Sequence, residues 1–215
     1  MSYRPRHKAR RVFGNAIGRQ GAQGPLMAAP FRGVFHAAAL PLLLKGNRMV
    51  NVVMVLLGML LPLLHLAFTK GPWTRRNVLR LLLVYAFVFD VGAVGFIFGF
   101  VPHVFFADTA AKLIGWPPGN PFQFEVGLHD GAWGILGFLC VFIGGGFWLA
   151  TALGWSFFLL GAAYGHVHQL LVEGDFAPYN LMPAFTDTFI PLWLLGLLYA
   201  YYRSGGLEGS LRPER

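Results

Sequence analysis

The chain is poor in charge: 12% of its 215 residues are Asp, Glu, Lys or Arg, against roughly 25% in a soluble globular domain. That shortage excludes a soluble enzyme and a charge-rich disordered protein. Cysteine is nearly absent. The single Cys140 lies in an apolar run, so no intrachain disulfide can staple a small secreted fold. The familiar catalytic signatures are missing too: no nucleophile elbow, phosphate-binding glycine loop, C-x-x-C, C-x-x-C-H or H-E-x-x-H occurs. No lysine sits within an apolar stretch to form a Schiff base.

What the chain has is apolar length. Mean hydropathy is +0.56 and 56% of residues are hydrophobic, which defines an all-α polytopic membrane protein. Five spans are expected. Residues 49–68 form one, and residues 81–101 a second with Asp90 near its middle. Residues 131–172 carry no Asp, Glu, Lys or Arg and are long enough for two helices, with Gly144-Gly145-Gly146 as the turn between them. The last runs from about Leu181 to Tyr202, with Asp187 near its start. Phe31–Leu44 is apolar but only about 21 Å long as a helix, against a hydrocarbon core of about 30 Å. It is expected to span when extended back to Pro25, to re-enter, or to lie in the interface. The domain reading is a basic tail over 1–24, one transmembrane domain over 25–202, and a short tail over 203–215.

Charge is uneven. Residues 1–48 hold nine Lys/Arg and no acid, and residues 49–215 hold eight Lys/Arg and nine acids. A basic tail beside a membrane span is expected to hold anionic lipid headgroups, at about 1 kcal/mol per basic residue near the surface. It lacks the interleaved aromatics of a nucleic-acid reader, so no nucleic acid is expected. The paired arginines of Arg10-Arg11-Val12-Phe13 resemble an export signal, but no apolar stretch follows closely and no cleavage site is evident. Lys70, Arg75, Arg76, Arg80 and the C-terminal arginines mark those segments as cytoplasmic, with both termini inside. Between the spans, His103 to Trp116 reads as a short amphipathic helix, with Phe105, Phe106, Leu113 and Ile114 toward lipid and Asp108 and Lys112 toward water.

The polar residues inside the apolar spans are the candidates for function, because charge in a bilayer is costly and needs a partner. Asp90 is one. Glu125 and His129 are four apart and share a helical face, whereas Asp130 turns about 100° away. Such a pair suits iron, copper or zinc, and is also an ordinary helix-end ion pair. His166 shares a face with Gln169 and Glu173. Asp187 lies early in the last span, where it also offsets the helix dipole. Pro191, four residues on, frees its carbonyl. Under the expected orientation Asp90, Glu125, His129, His166 and Asp187 all fall in the outer half of the membrane. His65 and His103 fall outside this group. The set fits a metal centre (iron, copper, zinc or haem-linked), a proton relay or a polar solute pocket. Two other readings stay open: a non-catalytic subunit packing against other membrane proteins, and a small-solute or proton-coupled carrier. The series Gly92, Gly95, Gly99 reads as helix packing.

The segment Gly115-Trp116-Pro117-Pro118-Gly119-Asn120-Pro121-Phe122-Gln123-Phe124-Glu125-Val126-Gly127 resembles a family of small, uncharacterised bacterial inner-membrane proteins. So do Phe147-Trp148-Leu149-Ala150-Thr151, Gly161-Ala162-Ala163-Tyr164-Gly165-His166, Ala177-Pro178-Tyr179-Asn180 and Asp187-Thr188-Phe189-Ile190-Pro191. The resemblance covers roughly residues 80–202 and implies a four- or five-helix membrane domain. It marks Glu125, His166, Asn180 and Asp187 as shared features. His129-Asp130-Gly131 departs from the Ala-Asn-Leu stretch common there. No activity comes with it.

Overall fold

A computed structural model describes residues 49–206. The basic tail over 1–24, the apolar segment Phe31–Leu44 and the last residues of the C-terminal tail lie outside the described residues. The described residues form six helices and no strand: α1 Val50–Thr69, α2 Arg75–Phe105, α3 Ala107–Ile114, α4 Phe122–Leu139, α5 Gly146–Glu173 and α6 Pro178–Arg203. Four of them, α1, α2, α5 and α6, are long and apolar enough to cross a membrane. The expected fifth span is not among these. Its helix, α4, has 18 residues, and it carries Glu125 and Asp130, which lower its hydropathy below that of the others.

Local chemistry sets the ends. The Thr74 side chain accepts a hydrogen bond from the Asn77 N–H at 3.3 Å, capping α2. This helix starts six residues before the apolar run, because Arg75, Arg76 and Arg80 keep its first turns polar. From Phe87 to Phe100 it widens to π-type turns, with the Val101 N–H reaching back to the Phe96 carbonyl. The turn expected at Gly144-Gly145-Gly146 is present between α4 and α5, and Gly145 takes φ 65° there. Trp148 Nε1 pins that turn by donating to the Cys140 carbonyl at 2.8 Å. Of the short helix expected over His103 to Trp116, Ala107–Ile114 forms α3, while His103 to Phe105 complete α2. Asp108 and Lys112 are exposed as expected, but Ile114 is buried inside rather than set toward lipid.

Two tightly packed helix pairs build the bundle. α4 runs antiparallel along α2 on a glycine seam. A Cβ added to Gly134 would lie 2.5 Å from the Phe96 nitrogen, and one on Gly137 would lie 2.5 Å from the Gly92 nitrogen. Only residues without side chains let the backbones come so close. α5 packs along α6, and α1 lies against α2. At one end Leu83, Phe87, Trp148, Leu194 and Leu198 join these pairs in a common apolar core. α4 and α5, by contrast, keep their backbones apart and meet through side chains, Trp133 over Gly154 and His129 against Phe158. Toward the other end the two pairs part, and the space between them is a cavity.

Candidate polar cavity

The cavity measures about 810 Å³, within the usual size range of small-molecule sites. Its walls are mostly apolar and aromatic, with Trp116, Phe122, Trp155, Phe158 and Tyr179 among them. Four Asp or His side chains line it, one from each of four helices: His103 on α2, Asp130 on α4, His166 on α5 and Asp187 on α6. From the nearest helix ends these last three lie at similar depth, about 10–14 Å at 1.5 Å per residue. Among the described residues no Lys or Arg lines the cavity.

Each histidine is oriented by a buried amide. His166 Nδ1 lies 2.5 Å from Asn180 Oδ1, while Asn180 Nδ2 donates to the Asp175 carbonyl at 2.8 Å. The amide is thereby fixed with its oxygen toward the ring, so Nδ1 carries the hydrogen and donates it. In a neutral ring Nε2 then keeps its lone pair, and it points at Asp187 Oδ2, 3.8 Å away. The other oxygen of Asp187 accepts from Thr186 Oγ1 at 3.3 Å. His103 Nδ1 likewise lies 2.6 Å from Oε1 of the buried Gln123, but that amide's own nitrogen has no hydrogen-bond partner among the described residues, so it is not anchored as Asn180 is.

Asp130 reaches the cavity through the glycine seam. It is 7% exposed, and its Oδ1 has no hydrogen-bond partner among the described residues. His129 Nδ1 stands 3.8 Å from it, too far for one. The four groups form one electrostatic cluster: Asp187 feels Asp130, Asp130 feels His103, and His166 feels His103.

Of the five residues expected to form the site, the structure brings His166 and Asp187 together. Glu125 is exposed on α4 and does not face the cavity. His129 is exposed as well. Its Nε2 accepts from Trp133 Nε1 at 3.0 Å and its ring lies 4.2 Å from that of Phe158. The rotation of α4 therefore runs opposite to the expectation: the Glu125–His129 face looks outward and Asp130 looks in. The reason is the seam, since Gly127, Gly131 and Gly134 must face α2 and Asp130 shares their side. Asp90 is fully buried but outside the cavity, with Gly58 of α1 against its carboxylate. Neither of its oxygens has a hydrogen-bond partner among the described residues. Trp155 Nε1 donates to its main-chain carbonyl at 3.1 Å. The expected metal centre is not formed: among the described residues no three of His, Cys, Asp and Glu group as ligands of one ion.

Fold and site together define a polytopic α-helical membrane protein with a polar-floored cavity between two helix pairs. Residues 48–206 match a family of unknown function, DUF6790, and the chain belongs to that family. No curated protein and no solved structure matches it.

Proposed function

We propose that this protein takes a small amphipathic molecule into the cavity, holds its polar end among His103, Asp130, His166 and Asp187, and exchanges a proton with it through the His166–Asp187 pair. One observation carries the reading: four helices each contribute one Asp or His to a single apolar-walled cavity. Ionisable groups in membrane segments are costly and face pathways or ligands by default. A proton relay needs a base of fixed tautomer beside an acid, and Asn180 fixes His166 beside Asp187.

In this reading the cavity is reached sideways. Phe157, which lines it, is 84% exposed, and Gly161 and Gly165 form an open stretch of the same wall. α4 is the fifth crossing, because about 27 Å of helix at 1.5 Å per residue nearly matches the hydrocarbon core. The end bearing Lys70, Arg75, Arg76, Arg80 and Arg203 is cytoplasmic, so the cavity lies in the outer half of an inner (plasma) membrane.

The test is thermal unfolding of the detergent-purified chain with octylammonium, octanoate and octanol. At least one is expected to raise Tm saturably; a ligand at a hundredfold its Kd stabilises by about 2.7 kcal/mol. Gly165→Trp fills the cavity from a position where a Cβ meets nothing within 4 Å, and it should abolish the rise. No saturable rise with any of the three, or a rise that survives Gly165→Trp, would overturn the proposal.

A further inference from the structure

We infer that the polar end the cavity selects is a cation carrying N–H donors, a lipophilic amine in its ammonium form, seated between Asp130 and Asp187. The inference rests on the cavity reading above and names its ligand class. Three observations carry it.

The first is the balance of free hydrogen-bonding groups. Asp130, Asp187 and Gln169 bring side-chain oxygens to the lining, and Asp130 Oδ1 and Gln169 Oε1, themselves closed off from the space, have no hydrogen-bond partner among the described residues. His166 Nε2 is a further acceptor, because Nδ1 is committed to Asn180. Trp116 Nε1 is the one buried donor of the lining left in that state. A ligand that brings donors satisfies this surface, whereas a carboxylate or phosphate meets acceptors facing acceptors.

The second is charge. Asp130 and Asp187 stand on opposite helix pairs within range of each other's charge, and among the described residues no Lys or Arg lines the space between them. With no Lys or Arg and two carboxylates in its lining, the cavity has no permanent positive charge and up to two negative ones. In a water-poor space a bound cation relieves that repulsion.

The third is the wall and the approach. Trp116, Phe122, Trp155, Phe158 and Tyr179 offer aromatic faces to a cation and apolar surface to its tail. The segments at this end carry Asp108, Glu125, Glu173 and Asp175 against Lys112, and the opposite end carries only cations among the described residues. A field of that sign raises the local concentration of cations at the mouth.

The discriminating experiment uses the same three octyl probes, with octyltrimethylammonium as a cation lacking N–H donors. Octylammonium should raise Tm by several degrees and saturate. Octyltrimethylammonium should require at least tenfold more ligand, and octanoate and octanol should give no saturable rise. Asp130→Asn should weaken octylammonium at least tenfold; if that variant does not fold, Asp187→Asn carries the same expectation. Saturable stabilisation by octanoate or octanol and not by octylammonium would overturn the cation inference and leave the cavity reading standing. Unchanged octylammonium affinity in the folded Asn variant would overturn it as well. Failure of all four probes would overturn both.

Discussion

Gly99 makes the space that Asp130 occupies: a Cβ on Gly99 would lie 2.5 Å from Asp130 Oδ2 and 2.7 Å from its Cβ. The carboxylate on α4 reaches the cavity because α2 has no side chain there. Gly99→Ala must either push Asp130 aside or pry α2 from α4. Overpacking of this kind costs about 1–3 kcal/mol. The expected result is a clear drop in Tm together with loss of octylammonium stabilisation. Gly161→Ala is the control, since nothing lies within 4 Å of its added methyl. Helix propensity alone predicts a gain of up to about 1 kcal/mol there. Equal Tm for the two variants would refute this account of the seam.

Asn180 acts on the site only through His166. Asn180→Ala removes the acceptor for Nδ1 and the donor to the Asp175 carbonyl, and a buried group left unpaired costs about 1–3 kcal/mol. The imidazole would lose its fixed tautomer, which ¹⁵N chemical shifts of the two ring nitrogens report directly. The expected spectrum of the native protein shows Nδ1 protonated. Asn180→Ala should show a mixture of tautomers. A native ring protonated on Nε2 alone would contradict the assignment.

Much of the fold was legible because hydropathy reads length. Met49–Phe68 anticipates α1 within a residue at each end, and the glycine triplet marks the α4–α5 turn. Helix rotation was harder, since hydropathy in a membrane does not say which face meets lipid. Glu125 and His129 drew attention as an i, i+4 pair, and α4 turns both outward. The signal that would have found Asp130 was present: it sits three residues after Gly127 and four before Gly134, hence on the small-residue face. His103 falls outside the expected group, at the start of the segment that reads as a short amphipathic helix. Its partner Gln123 is close in space but belongs to a helix two elements later, a relation no local spacing reveals. Even the site's boundary is tertiary, since the cavity exists only where the two helix pairs part.

Asp90 poses a different question from the cavity acids. Both its oxygens lack hydrogen-bond partners among the described residues, and α1 covers it at Gly58. An ionised Asp at such depth costs about 2.5–3.5 kcal/mol on insertion scales, whereas an uncharged side chain of the same shape keeps the packing. Asp90→Asn should therefore leave Tm unchanged or raise it, and Asp90→Ala should lower it by opening a void beside Gly58. A large loss in Asp90→Asn, measured by thermal unfolding in detergent, would instead mean that the carboxylate itself is needed and overturn this account.

The placement of the cavity in the outer half of the membrane can be read with single thiols. Cys140 is fully buried, so the native thiol gives a silent background to a membrane-impermeant maleimide. Thr109→Cys lies on exposed α3 at the cavity end, and Lys70→Cys lies exposed at the basic end. In sealed vesicles with the outer face exposed, Thr109→Cys should label within minutes and Lys70→Cys only after detergent is added. Among the described residues Lys70, Arg75, Arg76, Arg80 and Arg203 gather at one end and Lys112 is the one Lys or Arg at the other, a bias that sets orientation through short loops. The reverse labelling pattern would turn the molecule over and make the cavity draw its ligand from the cytoplasmic leaflet. Labelling of both from the same side would break the bundle's topology itself, because α1 carries the chain from the cavity end to the basic end and α2 carries it back.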